Sequence, residues 1–248
     1  MIMKLRVLAS GSSGNCYILE SPTGSLLLEC GIHWKEIQKG LNFDLSNVQG
    51  CLITHEHKDH CKAVREVVKA GIDVYSTKET FEAMGISEHR THAKTTCIQF
   101  KVGPFWVMPF STEHDAANPV GYLVLEAKTN ERIVFITDSY YCRYKFPKIN
   151  YLCIECNYIK ETLDWNIENG YINEAMKPRL LQSHFSLENV KEFLKANDLS
   201  QCREIILLHL SNQNADASQM IKEIADITGI VPRIAKPGLE VSLDRFPY

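Results

Sequence analysis

The stretch Cys51-Leu52-Ile53-Thr54-His55-Glu56-His57-Lys58-Asp59-His60 joins a short apolar run to three histidines and two acids within six positions. The run reads as a buried strand, and the polar cluster begins where that strand ends. Loops at the carboxyl ends of strands are where α/β folds assemble their sites. If the strand direction continues, a period of two puts the imidazoles of His55 and His57 on the same side, where both can grip one metal ion. A turn into a helix expected over residues 62–71 swings Asp59 and His60 towards a second position. Imidazole and carboxylate together suit zinc, manganese or iron better than calcium or magnesium.

The rest of the chain repeats that arrangement. Leu5 to Ala9, Cys16 to Glu20 and Leu26 to Cys30 read as strands, the first two joined by the polar turn Ser10-Gly11-Ser12-Ser13-Gly14-Asn15. That turn reads as a connector, with a nest of amides for an anion as the alternative. Trp34 to Leu41 and Lys78 to Met84 read as helices on either side of the motif. Cys97 to Val102 and Phe105 to Phe110 read as strands. Val120 to Ala127 and Arg132 to Thr137 form a hairpin. Tyr151 to Glu155 and Glu204 to Leu208 are further apolar strands. His114, Asp138, Glu155 and His209 each stand at the polar end of such a strand. Residues 158–179 read as irregular or helical, a lid or an interaction surface. Ser186 is the expected N-cap of a helix over 187–196. His89 and His92 read as surface residues.

Composition narrows the class. The 248 residues, 45% hydrophobic and 23% charged, suit one large α/β domain spanning 1–248, without a Pro/Gly/Ser linker or a repeat. A net charge of -3 argues against a surface dedicated to a phosphate polymer. Nine cysteines, an odd number lying mostly in apolar runs, fit free thiols in a reducing compartment better than a disulfide framework. Neither a signal peptide nor a membrane-spanning run is legible, so a cytoplasmic protein is expected, in the host cytoplasm if phage-encoded.

Taken together, the His-x-His-x-Asp-His run at 55–60, His114, Asp138 in Ile136-Thr137-Asp138-Ser139 and His209 in Leu208-His209-Leu210-Ser211 resemble the metallo-β-lactamase superfamily over nearly the whole chain. The resemblance implies an αββα sandwich of two mixed β-sheets flanked by helices. It also implies two divalent metal ions, zinc in the first place, with manganese or iron as alternatives. By that resemblance His55, His57 and His114 hold metal 1, and Asp59, His60 and His209 hold metal 2, with Asp138 bridging. Ala9 to Asn15, Glu113-His114-Asp115-Ala116 and His209-Leu210-Ser211-x-x-Asn214 are similar to YycJ-type exonucleases. Ser183-His184-Phe185-Ser186 with Glu155 upstream is similar to tRNA 3′-processing endonucleases, and phage anti-Pycsar enzymes resemble the same branch. Glu29-Cys30-Gly31 stands where the family usually has Asp-x-Gly, and Ser139-Tyr140 replaces the usual Thr-Gly.

The chemistry expected from this set is phosphodiester hydrolysis by metal-activated hydroxide. Asp59 orients or deprotonates the water while also binding metal 2. His184 contacts the substrate phosphate and either stabilises the phosphorane or gives a proton to the leaving oxygen, held by Glu155; capping of the following helix is its other reading. Acidic net charge and the lack of a basic-aromatic stripe favour a small substrate, a cyclic nucleotide, over nucleic acid. A nuclease is the alternative, and a lactam or thioester hydrolase a third class. The aromatic concentration Tyr140, Tyr141, Tyr144, Phe146, Tyr151, Tyr158 and Trp165 suggests core, a pocket lid or a homodimer interface.

Overall fold

The computed structural model describes residues 3–243. They divide into two compact units: one holds the residues up to Phe110, Ala116–Asn130 and those from Ala235 on, and the other holds Ser111–Asp115 and Glu131–Ile234.

The first unit opens with three strands, β1 (Lys4–Ala9), β2 (Cys16–Ser21) and β3 (Gly24–Leu28). They pair antiparallel, and Ser21 faces Gly24 across the tight turn. After α1 (Trp34–Gly40), the apolar run preceding the histidines forms β4 (Val48–Leu52), parallel to β3 with Leu28 opposite Leu52. The helix expected over 62–71 is instead two pieces, α2 (Lys58–Cys61) and α3 (Val64–Lys69). The chain bends at Ala63 (φ −97°, ψ 15°), whose amide donates to the Cys30 carbonyl. Then come β5 (Val74–Ser76), α4 (Lys78–Met84), β6 (Thr91–Ala93), β7 (Phe100–Val102), β8 (Phe105–Ser111) and β9 (Val120–Glu126). His92 lies in β6, a strand too short and polar to stand out in the sequence. The strand expected from Cys97 begins only at Phe100, because Cys97 takes a left-handed φ of 62°. Ile18, Leu27, Ile53, Val67 and Val74 pack into this unit's core with no measurable exposure.

The second unit is built on β10 (Arg132–Ile136) and β11 (Tyr151–Glu155), followed by α5 (Lys160–Glu168), a 3-10 turn (Glu174–Met176), α6 (Lys177–Ser183), α7 (Leu187–Ala196), β12 (Glu204–Leu208), α8 (Ala217–Thr228) and β13 (Arg233–Ile234). Strands β10, β11 and β12 are parallel neighbours, with Ile136 opposite Ile154 and Glu155 opposite Leu208. Ile133 to Ile136, Leu152 to Ile154 and Ile205 to Leu208 are buried without alternation, as strands covered on both faces must be. Ser186 caps α7 by accepting from the Asn189 amide at 3.2 Å, as its sequence position predicts. The last strand, β14 (Glu240–Ser242), returns to pair with β1.

The strands form two mixed seven-stranded sheets flanked by helices, in the order β14-β1-β2-β3-β4-β5-β6 and β13-β12-β11-β10-β9-β8-β7. Among the described residues no helix is long and apolar enough to cross a membrane.

Candidate metal centre

The candidate ligands fall into two sets, four residues in the first unit and three in the second. In the first, β4 runs into Ile53 and Thr54, and the chain then delivers His55 to His60. His55 is fully buried, with Nδ1 2.9 Å from the Thr54 hydroxyl and Nε2 3.1 Å from His57 Nδ1. The His55 and His60 ring centroids are 4.2 Å apart, and His60 Nε2 is 3.5 Å from Asp59 Oδ2. Four donors therefore converge within one loop and one helical turn.

Backbone contacts hold that loop. The Asn15 amide donates to the Asp59 carbonyl at 2.7 Å, the Gly31 amide to the Asn15 carbonyl at 2.8 Å, and the Cys30 amide to the His60 carbonyl at 2.9 Å. A Cβ built on Gly31 would stand 1.6 Å from the Asp59 carbonyl oxygen, so this approach admits only glycine. The polar turn ending in Asn15 connects the antiparallel strands β1 and β2, as expected, and in addition buttresses the His55–His60 loop. Glu29, in the family's aspartate position, is fully buried at φ 65°. Its Oε1 accepts from the Thr54 amide at 3.2 Å and stands 3.7 Å from His60 Nδ1. Burial pushes this carboxyl up, against the opposing pull of His60 and Thr54.

In the second unit the parallel register brings the ends of β10, β11 and β12 level, so Asp138, Glu155 and His209 meet. Asp138 Oδ1 is 3.2 Å from His209 Nδ1, and Asp138 Oδ2 is 3.8 Å from His114 Nε2. Asp138, Glu155, His184 and His209 each place a ligand-type atom within 4.8 Å of one another. Asp138 and His209 both adopt left-handed backbone, at φ 43° and 51°. Such residues cost about 1–3 kcal/mol each and persist where surrounding structure over-determines them. His114 Nδ1 faces the Ser183 carbonyl at 2.8 Å, which leaves Nε2 for a metal. Burial lowers the His114 pKa below the usual histidine value and keeps the ring neutral, the state a ligand needs.

Glu155 is the hub of this unit. Its Oε1 is 2.7 Å from His184 Nδ1 and 3.0 Å from His209 Nδ1, while Oε2 accepts from the Ser139 and Phe185 amides at 3.0 and 3.1 Å. Burial alone would raise this carboxyl, but the two histidines and their hydrogen bonds hold it below the ordinary range. For His184 burial works downward, and the Glu155 charge and hydrogen bond outweigh it, lifting the imidazole to about 9. His184 follows α6, and the neighbouring Ser186, not His184, caps α7.

Several contributors were not legible as such. Ser139 Oγ accepts from the Glu113 amide at 2.9 Å and donates to the Tyr141 carbonyl at 2.7 Å, tying the His114 loop to the Asp138 loop. Asp115 accepts from the Ser183 hydroxyl at 3.0 Å and from Arg179 Nε at 3.1 Å. Only tertiary structure brings together residues that lie 64 to 69 positions apart. An open cleft of about 750 Å³ beside His114 is walled by Asp115, Tyr140, Arg179, Gln182 and Ser183, among others. Of the aromatic concentration, Phe146, Tyr151 and Tyr158 are buried, whereas Tyr141 and Trp165 are exposed. His89 is exposed, and His92 stacks on Tyr75, apart from the His55–His60 group. All nine cysteines are free, and burial lifts thiols such as Cys16, Cys153 and Cys156 well away from reactivity.

The donors fit divalent metal ions. Imidazoles and carboxylates converge in each unit, and His55, His114 and His209 have a second ring nitrogen beside the Thr54 hydroxyl, the Ser183 carbonyl and the Glu155 carboxylate, the outer support that metal-ligating histidines carry.

The comparisons agree with this chemistry. Residues 9–91 match the family model of the metallo-beta-lactamase superfamily. The exodeoxyribonuclease WalJ of Streptococcus pneumoniae serotype 2 (strain D39) is 31% identical, over 97% of this chain and 91% of its own length. The exodeoxyribonuclease YycJ of Bacillus anthracis is 28% identical, over 86% of this chain and 84% of its own. Among solved structures, the metallo-beta-lactamase fold protein YhfI of Bacillus subtilis superposes with a TM-score of 0.75 at 17% identity, covering 97% of this chain and 99% of YhfI. The chain belongs to the metallo-beta-lactamase superfamily and is a homologue of the WalJ and YycJ proteins.

Proposed function

We propose that this metal-dependent phosphodiester hydrolase is an exodeoxyribonuclease using two divalent ions, with both units serving one catalytic domain. His55, His57 and His114 would hold one ion; Asp59, His60 and His209 the other, with Asp138 shared. This assignment rests on the order of the residues along the chain and on the family resemblance. The ions, zinc in the first place, would supply a hydroxide near neutral pH and neutralise charge on the phosphoryl oxygens.

The chain's own residues do the rest. Asp59 orients the attacking water. His184, protonated at neutral pH, donates from Nε2 to the leaving oxygen, since Nδ1 is committed to Glu155. Glu155 fixes the ring and its charge. The ion pair of half-buried His184 with buried Glu155 carries this reading: a lactam or thioester hydrolase has no need of a fixed imidazolium beside its metals. The nine free thiols support a reducing cytoplasm as the place of work.

The sequence alone favours a cyclic nucleotide, and the net charge of -3 still speaks for a small diester. The full-length similarity to named exodeoxyribonucleases moves the preference to DNA. Incubation of the metal-loaded protein with single- and double-stranded DNA, RNA and 3′,5′-cyclic nucleotides decides between them. Release of mononucleotides from DNA ends is the expected result; turnover confined to cyclic nucleotides overturns it.

A further inference from the structure

The cleft beside His114 has a feature the proposed chemistry does not use. Its wall is α6, and on that helix Arg179 and Ser183 are four residues apart and share a face. Both reach Asp115, Arg179 through Nε and Ser183 through its hydroxyl. The Arg179 side chain is nonetheless 73% exposed and Asp115 44%, so the pair is a solvated surface contact of little strength and readily exchanged. Tyr140 also lines the cleft, with its backbone pinned on both sides, its amide on the Glu113 carbonyl and its carbonyl on the Asn189 side chain. The other acid on the rim, Glu113, is already neutralised by Arg143.

His114 lines the cleft, and its ring centroid is 5.6 Å from that of His184, so the cleft adjoins the imidazole proposed to serve the scissile phosphate. We propose that this cleft is the subsite for the nucleotide next to the scissile phosphate, with Arg179 leaving Asp115 to bind that nucleotide's own phosphate and Tyr140 offering its ring to the base. The guanidinium fork suits a phosphate as it suits a carboxylate, and an aromatic face accepts any base. A strand fills such a subsite and a lone cyclic nucleotide does not, so the cleft sets the preference for polymer over small diester. The inference rests on the phosphodiesterase reading and deepens it.

The test compares wild type, Arg179→Ala and Arg179→Lys, each with metal content verified, on a single-stranded DNA oligonucleotide and on bis(p-nitrophenyl) phosphate. In Arg179→Ala the ratio of oligonucleotide to small-diester kcat/KM should fall about tenfold, mainly through KM, with partial recovery in Arg179→Lys. The slope of log affinity against log salt for the oligonucleotide should become shallower by about 0.7. An unchanged ratio, or equal loss on both substrates, overturns the subsite. Wild type that cleaves the small diester but not DNA overturns the subsite and leaves the phosphodiesterase reading standing. Wild type that cleaves neither overturns both.

Discussion

Glu155 Oε1 lies 2.7 Å from His184 Nδ1, in a carboxylate that is fully buried and an imidazole whose side chain is 18% exposed. With the acid in place His184 stays charged to about pH 9; without it, the ring loses its largest support against burial, which works to lower its pKa. In demetallated protein, NMR titration should therefore show His184 deprotonating near pH 9 in wild type and at a lower pH in Glu155→Gln. Equal midpoints in the two proteins would remove Glu155 as the cause.

The same pair links pH to stability. The folded pKa of about 9 stands above the unfolded value, so its contribution is complete below about pH 6.5 and is lost as pH rises through about 9. Urea midpoints of demetallated wild type should drop across that window, and those of Glu155→Gln should not.

His184→Ala should lower turnover by about 10²–10⁴-fold, the range for loss of a general acid, while bound metal is unchanged. Inductively coupled plasma measurements alongside steady-state kinetics check both halves. Full turnover with normal metal would return His184 to a structural role.

His57→Ala and Asp59→Ala should each reduce bound metal and abolish hydrolysis, because each removes a ligand in the proposed assignment. Metal content at the wild-type level in both variants would count against the dinuclear centre.

Gly31→Ala should destabilise by several kcal/mol, on the order of the worst single substitutions, because its Cβ would overlap the Asp59 carbonyl at 1.6 Å. Gly71→Ala is the control: a φ of 86° with nothing within 4 Å leaves only backbone strain, about 1–2 kcal/mol. Chemical denaturation curves should separate the two.

The parts of the site legible in the sequence share one cause. Strands covered on both faces must be apolar throughout, so a polar residue at their end is conspicuous; Asp138, Glu155 and His209 follow such runs directly. His55 to His60 announced themselves by density. Glu29 and Asn15 drew notice only as a departure and a turn, since their roles lie in contacts with residues 25 and 44 positions away. Segment 158–179 resisted reading because α5 and α6 lack a sustained apolar stripe, and Leu163 is among the few side chains that α5 buries.

The link between Asn15, Gly31 and Asp59 is made chiefly of backbone amides and carbonyls, with the Asn15 side chain adding a contact to the same Asp59 carbonyl at 3.4 Å. A cradle of that kind keeps its shape whichever ion visits it and when none does. Stripping the protein with a chelator should therefore be a reversible bleaching rather than an unfolding, and different divalent ions can be loaded in turn into one unchanged scaffold, so that their activities are compared on equal terms.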